Sequence, residues 1–125
     1  MATRADVRRI ALSLPDTEEA EGRFAFSVRV KGNLKGFAWV WMERIDPKKP
    51  RVANPGVLAV RVANVGEKDT LVSVEPTKFF TESHYNGFPA VLVRLAAVKV
   101  PELRILLDAA WHTQASPDAK KRRSR

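Results

Sequence analysis

The sequence predicts an α+β protein, a two-layer sandwich with an antiparallel sheet of about four to five strands and helices on one face. Three observations lead there. Apolar residues recur with helical spacing at both ends of the chain; between them the period drops to two; and the strand-like runs are joined by connections rich in Gly, Asn and Pro rather than by crossover helices.

The elements follow in order. Thr3 to Asp6 makes a capping-box-like start, and Val7, Ile10, Ala11 and Leu14 trace one stripe of a first helix that Pro15 stops. Asp16 to Gly22 is an acidic connector. Phe24, Phe26, Val28 and Val30 alternate with polar or small residues, as a half-buried strand does. Lys31 to Gly36 is a turn. Phe37 to Glu43 returns as a strand apolar on both sides, with Phe37, Trp39 and Trp41 on one face and Ala38, Val40 and Met42 on the other. Ile45 to Gly56 carries three prolines and is expected to be a long basic loop. Val57 to Val62 is a third strand. Asn64 is placed to cap a short helix reaching Val74, with a strand as the alternative. Pro76 to Phe80 is a turn or a single helical turn, and Ala90 to Leu95 a fourth strand. Pro101 and Glu102 open a last helix whose Leu103, Leu106, Leu107, Ala110 and Trp111 form a wide apolar stripe.

The 125 residues suit one domain, taken as residues 1–115, followed by a basic tail over 116–125 expected to be disordered. Net charge is +8, and half of the excess lies in that tail, where Lys120, Lys121, Arg122, Arg123 and Arg125 face only Asp118. Such a balance favours polyanionic partners. Cysteine is absent, which removes disulfides and thiol catalysis and fits a reducing, cytoplasmic setting. The first ten residues lack an apolar run, so no signal peptide is expected, and no stretch is long and apolar enough for a membrane span.

Little in the sequence points to catalysis. His84 and His112 are far apart with no matching carboxylate spacing, so no metal site is expected. No Gly-x-Ser-x-Gly motif or phosphate-cradling glycine loop occurs. No cofactor and no enzymatic activity are expected. The stretch Thr81-Glu82-Ser83-His84-Tyr85-Asn86-Gly87 stands apart as a polar knot leading into an apolar strand. Its structural reading is a shaped turn; its functional reading is a small-ligand pocket formed by His84, Tyr85 and Arg94.

From Phe80 to Leu95 the chain reads FTESHYNGFPAVLVRL, followed by Glu102-Leu103 and Ala110-Trp111 and preceded by Leu14-Pro15, Phe24 and Phe37-Ala38. Over residues 3–112 this resembles the MmcQ/YjbR-like family of small bacterial proteins. The resemblance implies a fold similar to type III secretion chaperones and a DNA-binding role through a double wing of loops. The long Ile45–Gly56 loop departs from the family pattern. The expected DNA contacts are Lys31, Lys35, Lys48, Lys49 and Arg51 on two loops, with Lys120, Lys121, Arg122 and Arg123 of the tail. A protein-interaction module is the alternative by fold analogy.

Overall fold

The computed structural model describes residues 1–123. The order is α1 (Arg4–Ser13), β1 (Thr17–Glu19), β2 (Ala25–Val30), β3 (Asn33–Glu43), β4 (Val52–Arg61), α2 (Val65–Val74), β5 (Phe79–Phe80), β6 (Ala90–Arg94), α3 (Val100–Gln114) and α4 (Pro117–Arg123). Among the described residues the strands form one open antiparallel sheet of six, in the order β1-β2-β3-β4-β6-β5.

Local chemistry explains the helix ends. The Thr3 hydroxyl accepts from the Asp6 amide while the Asp6 carboxylate accepts from the Thr3 amide, closing the capping box of α1. Hydrogen bonds to that carboxylate, from the Thr3 amide first and then from Arg9 and the Thr3 hydroxyl, hold the Asp6 carboxyl below its ordinary range. Asn64 caps α2 through a 2.8 Å bond from the Glu67 amide.

The strand count exceeds the expected four to five. The supposed connector contains β1, which pairs Thr17 with Val28 and Glu19 with Phe26. Its side chains are held by ion pairs, Arg8 with Glu19 and Arg29 with Glu18, rather than by an apolar period. The Lys31–Gly36 turn shrinks to Lys31 and Gly32, both at positive φ (51° and 82°), and β3 starts at Asn33. The expected loop to Gly56 ends at Arg51, because β4 begins at Val52 and absorbs Pro55 and Gly56 as an irregularity opposite Val40 and Trp41. β5, at Phe79 and Phe80, falls within the expected turn.

The faces of β3 also differ from a strict period of two. Phe26 pairs with Ala38 and Ser27 with Gly36, so Phe37 is an extra residue. The bulge turns Phe37 into the main core beside Ala38 and Val40, and leaves Trp39 and Trp41 on the opposite face.

The main core lies between the sheet and the helices. Phe26, Val28, Leu58, Val60, Val91 and Val93 meet Val7, Ile10 and Ala11 of α1 and Leu103, Leu107 and Trp111 of α3. Leu71 and Val72 of α2 pack against it. The tail does not trail away: α4 buries Ala119 fully in this core, and the Ser116 hydroxyl accepts from the Ala119 amide at 3.1 Å. Expected disorder is thus replaced by helix through Arg123; Arg125 lies outside the described residues. The other face of the sheet has a thin aromatic cover, with Trp39, Trp41, Phe80 and Tyr85 packed on Val57, Ala59 and Leu92.

Candidate functional site

The segment before β6 is a compact turn. Tyr85 and Asn86 both donate through their amides to the Glu82 carbonyl, at 2.8 and 3.1 Å, and the Phe88 amide donates to the Tyr85 carbonyl at 3.0 Å. Gly87 takes φ +79°, which glycine adopts without strain. The turn is pinned from α2: Lys68, 2% exposed, donates its ammonium to the carbonyls of Tyr85 and Phe88. The Tyr85 hydroxyl accepts from Trp39 Nε1 at 3.1 Å.

His84, Tyr85 and Arg94 have separate engagements. His84 is exposed, its ring edge-on to Tyr85 at 6.1 Å. Arg94 lies over the Phe80 ring at 4.2 Å and donates to the Pro76 carbonyl at 3.1 Å. Among the described residues no hydrogen bond or ion pair joins His84 to Glu82, whose buried Oε1 has no hydrogen-bond partner there.

Burial pushes the Lys68 ammonium below its ordinary value of 10.5, partly opposed by Asp69 and Glu82. The unfolded chain therefore binds more protons in the window just below 10.5, so Lys68 makes stability rise with pH there, up to about that value. Lys68→Met should abolish this rise and cost about 1–3 kcal/mol at neutral pH, because two carbonyls lose a charged donor. Urea unfolding of both proteins at neutral and alkaline pH checks it; an unchanged slope with pH counts against the buried charge.

The basic residues fall at two ends of β3. Lys31 sits in the β2–β3 turn and Lys35 near the start of β3; Lys48, Lys49 and Arg51 sit beyond its far end. The ten steps of ~3.3 Å along eleven-residue β3 separate these ends by roughly 33 Å. The Arg51 guanidinium is held by the Met42 carbonyl at 2.9 Å. α4 lies at the Lys31 end. Arg122 pairs with Asp16, which lines a shallow hollow together with Lys31 and Gly32, and Gln114 bonds the Gly36 carbonyl at 3.1 Å. Arg123 pairs with Asp108. The side chains of Lys31, Lys35 and Lys121 have no ion pair among the described residues.

A cleft of about 830 Å³ opens between α2 and α3. Leu71, Leu106 and Ala109 give it apolar walls, and Arg61, Asn64 and Glu67 line its end near β4. Sequence reasoning singled out none of these as a site. Among the described residues no three His, Cys, Asp or Glu side chains stand where they could hold a metal, and no helix is long and apolar enough to cross a membrane.

No family model matches the chain. Its fold is similar to that of the Deinococcus radiodurans protein DR2400, a DUF419 domain, with a TM-score of 0.68 over 98% of this chain and 88% of that one, at 20% identity. It is 39% identical over 124 residues to uncharacterized protein Rv2570 of Mycobacterium tuberculosis (strain H37Rv) and to uncharacterized protein Mb2600 of Mycobacterium bovis, covering 92% of this chain and 90% of each relative. The chain belongs to the family of these mycobacterial proteins.

Proposed function

We propose that this is a non-enzymatic, cytoplasmic protein that binds duplex DNA without strong sequence preference. The observation that carries the reading is the docking of α4, which places Lys121 at the same end of the molecule as Lys31 and Lys35. Uncommitted ammonium groups on a rigid surface suit phosphate contacts, which position a duplex without reading its bases. The resemblance to the MmcQ/YjbR-like, double-wing proteins supports the same reading, with the β2–β3 turn as one wing and the Lys48–Arg51 connection as the other. With about four phosphate contacts, affinity should fall about 150-fold between 50 and 200 mM salt. Fluorescence anisotropy with a labelled duplex across a salt series tests this; no complex even at the lowest salt removes the reading. The full chain should be used, because cutting before α4 would uncover the pocket that Ala119 fills.

The open face of the sheet favours a second reading, a protein-interaction module. Trp39, Trp41 and Phe80 are half-buried there, with no helix packed on them among the described residues, and Phe88 is 40% exposed. Under that reading Phe88→Ser weakens self-association or partner capture and leaves DNA affinity unchanged.

A further inference from the structure

We propose that the open face of the sheet binds a single-stranded nucleic acid, with bases stacked on its aromatic rings and phosphates held by Arg61 and Arg94. This surface lies opposite the helices and shares no residue with the lysines proposed to hold a duplex.

Strand register builds the face. Trp39 and Trp41 project from β3 over Val57 and Ala59 of β4 and Leu92 of β6. Arg61 follows Val57 and Ala59 at the next alternate position of β4, and Arg94 follows Leu92 in β6, so both arginines stand on this side. The same trio occurs twice. At one end Trp39 meets the Phe88 ring edge-on at 6.4 Å, and the Arg61 guanidinium lies over that ring at 5.1 Å. At the other end Trp41 meets the Phe80 ring edge-on at 5.4 Å, and the Arg94 guanidinium lies over that ring at 4.2 Å. The two tryptophans are two strand steps apart, roughly 7 Å, so each can take its own base. Arg94 pairs with Val57 and Arg61 with Ala90, which sets the arginines four steps apart, roughly 13 Å along the strands.

The hydrogen-bonding groups left free on this face are donors. Arg61 makes no hydrogen bond or ion pair among the described residues, and its buried Nε has no partner there. Arg94 spends one N–H on the Pro76 carbonyl and keeps the rest. Trp41 Nε1 is likewise buried with no hydrogen-bond partner among the described residues. The Tyr85 hydroxyl accepts from Trp39 and retains its own hydrogen for donation. Of the carboxylates at the border, Glu43 accepts from Asn54 at 3.0 Å and Glu82 has its Oε1 buried. Unpaired polar groups in a folded protein call for a cause, and an acceptor-rich occupant is one. That occupant must offer acceptors, negative charge and flat rings together. A single-stranded nucleic acid offers all three, whereas a duplex keeps its ring faces inside the stack. A second copy of this face would set arginine against arginine, and an acidic peptide brings no run of flat rings.

The test is titration of the full-length protein, read by tryptophan fluorescence, with oligo-dT and oligo-rU of about ten nucleotides and a duplex of the same length. Both single strands are expected to quench the emission saturably, and the stronger of them identifies DNA or RNA as the source; the duplex should quench far less. Trp41→Leu and Phe88→Leu keep the surface apolar but remove a stacking ring, and each should weaken single-strand binding about tenfold, with folding checked by circular dichroism. Arg61→Gln should make the slope of log K against log salt shallower by about 0.7, one phosphate contact on a single strand. No quenching by either strand at about 100 μM, equal quenching by the duplex, or Leu variants that bind as tightly as the parent overturns the proposal. So does a dimer in light scattering that blocks the quenching, since a second copy then covers the face. Loss of duplex binding in the lysine variants leaves these readouts in place, so the two surfaces stand or fall separately.

Discussion

Trp111→Ala is expected to cost about 3–5 kcal/mol of folding stability, the range for deleting a large buried aromatic. Trp111 is fully buried at the meeting point of three elements. It extends the Leu103–Leu107 stripe of α3 against the sheet, and its Nε1 donates at 2.9 Å to the Pro15 carbonyl just after α1. Removing it opens a cavity in the largest core and leaves that carbonyl with only the longer 3.4 Å bond from the Thr17 hydroxyl, two penalties that act together. Trp111→Phe separates them: most apolar volume survives, the hydrogen bond does not, and the cost should fall to about 1–2 kcal/mol. Trp39→Phe is the comparison on the other face, where the ring is half-buried and its bond goes to Tyr85; about 1 kcal/mol is expected. Urea unfolding followed by circular dichroism ranks the three. A Trp111→Ala cost no larger than that of Trp39→Phe contradicts the account of the core given above.

The contrast between these two tryptophans marks how far the sequence alone reaches. Helical stripes, the Thr3 and Asn64 caps and the alternation of β2 are local patterns, and the structure follows them closely. The side of the sheet that Trp39 occupies was not local: it depends on the bulge at Phe37, which requires knowing that Ser27 pairs with Gly36. β1 and β5 were illegible because edge strands this short have no apolar period of their own; their partners define them. The helix of the tail did carry a signal, Ser116 as cap followed by Pro117, but the charge run beyond it outweighed that signal. The cleft is least legible of all. Its lining residues come from the end of β4, the loop after it, α2 and α3, and only the folded chain brings them together.

The same distinction decides the second large effect, because the sequence places nine cations in the described chain as equals and the fold does not. Arg122 and Arg123 are paired with Asp16 and Asp108, and Arg51 is turned back onto the Met42 carbonyl. Surface pairs of this kind are weak, so a phosphate can still compete for these arginines, but each such contact first breaks an existing one. Lys31, Lys35 and Lys121 bear no such cost. Lys31→Gln, Lys35→Gln and Lys121→Gln combined should weaken duplex binding about 100-fold or more at 50 mM salt, and should make the slope of log K against log salt shallower by about 2.7, three contacts at 0.9 each. The matching triple at the far end, Lys48→Gln, Lys49→Gln and Arg51→Gln, should cost less than about tenfold, since roughly 33 Å separates the ends and α4 adds nothing there. Equal losses would mean that a duplex lies along the length of β3 and touches both wings. No loss in either triple, with folding intact by circular dichroism, would mean that these lysines are solvated surface and that the protein's partner is not a duplex.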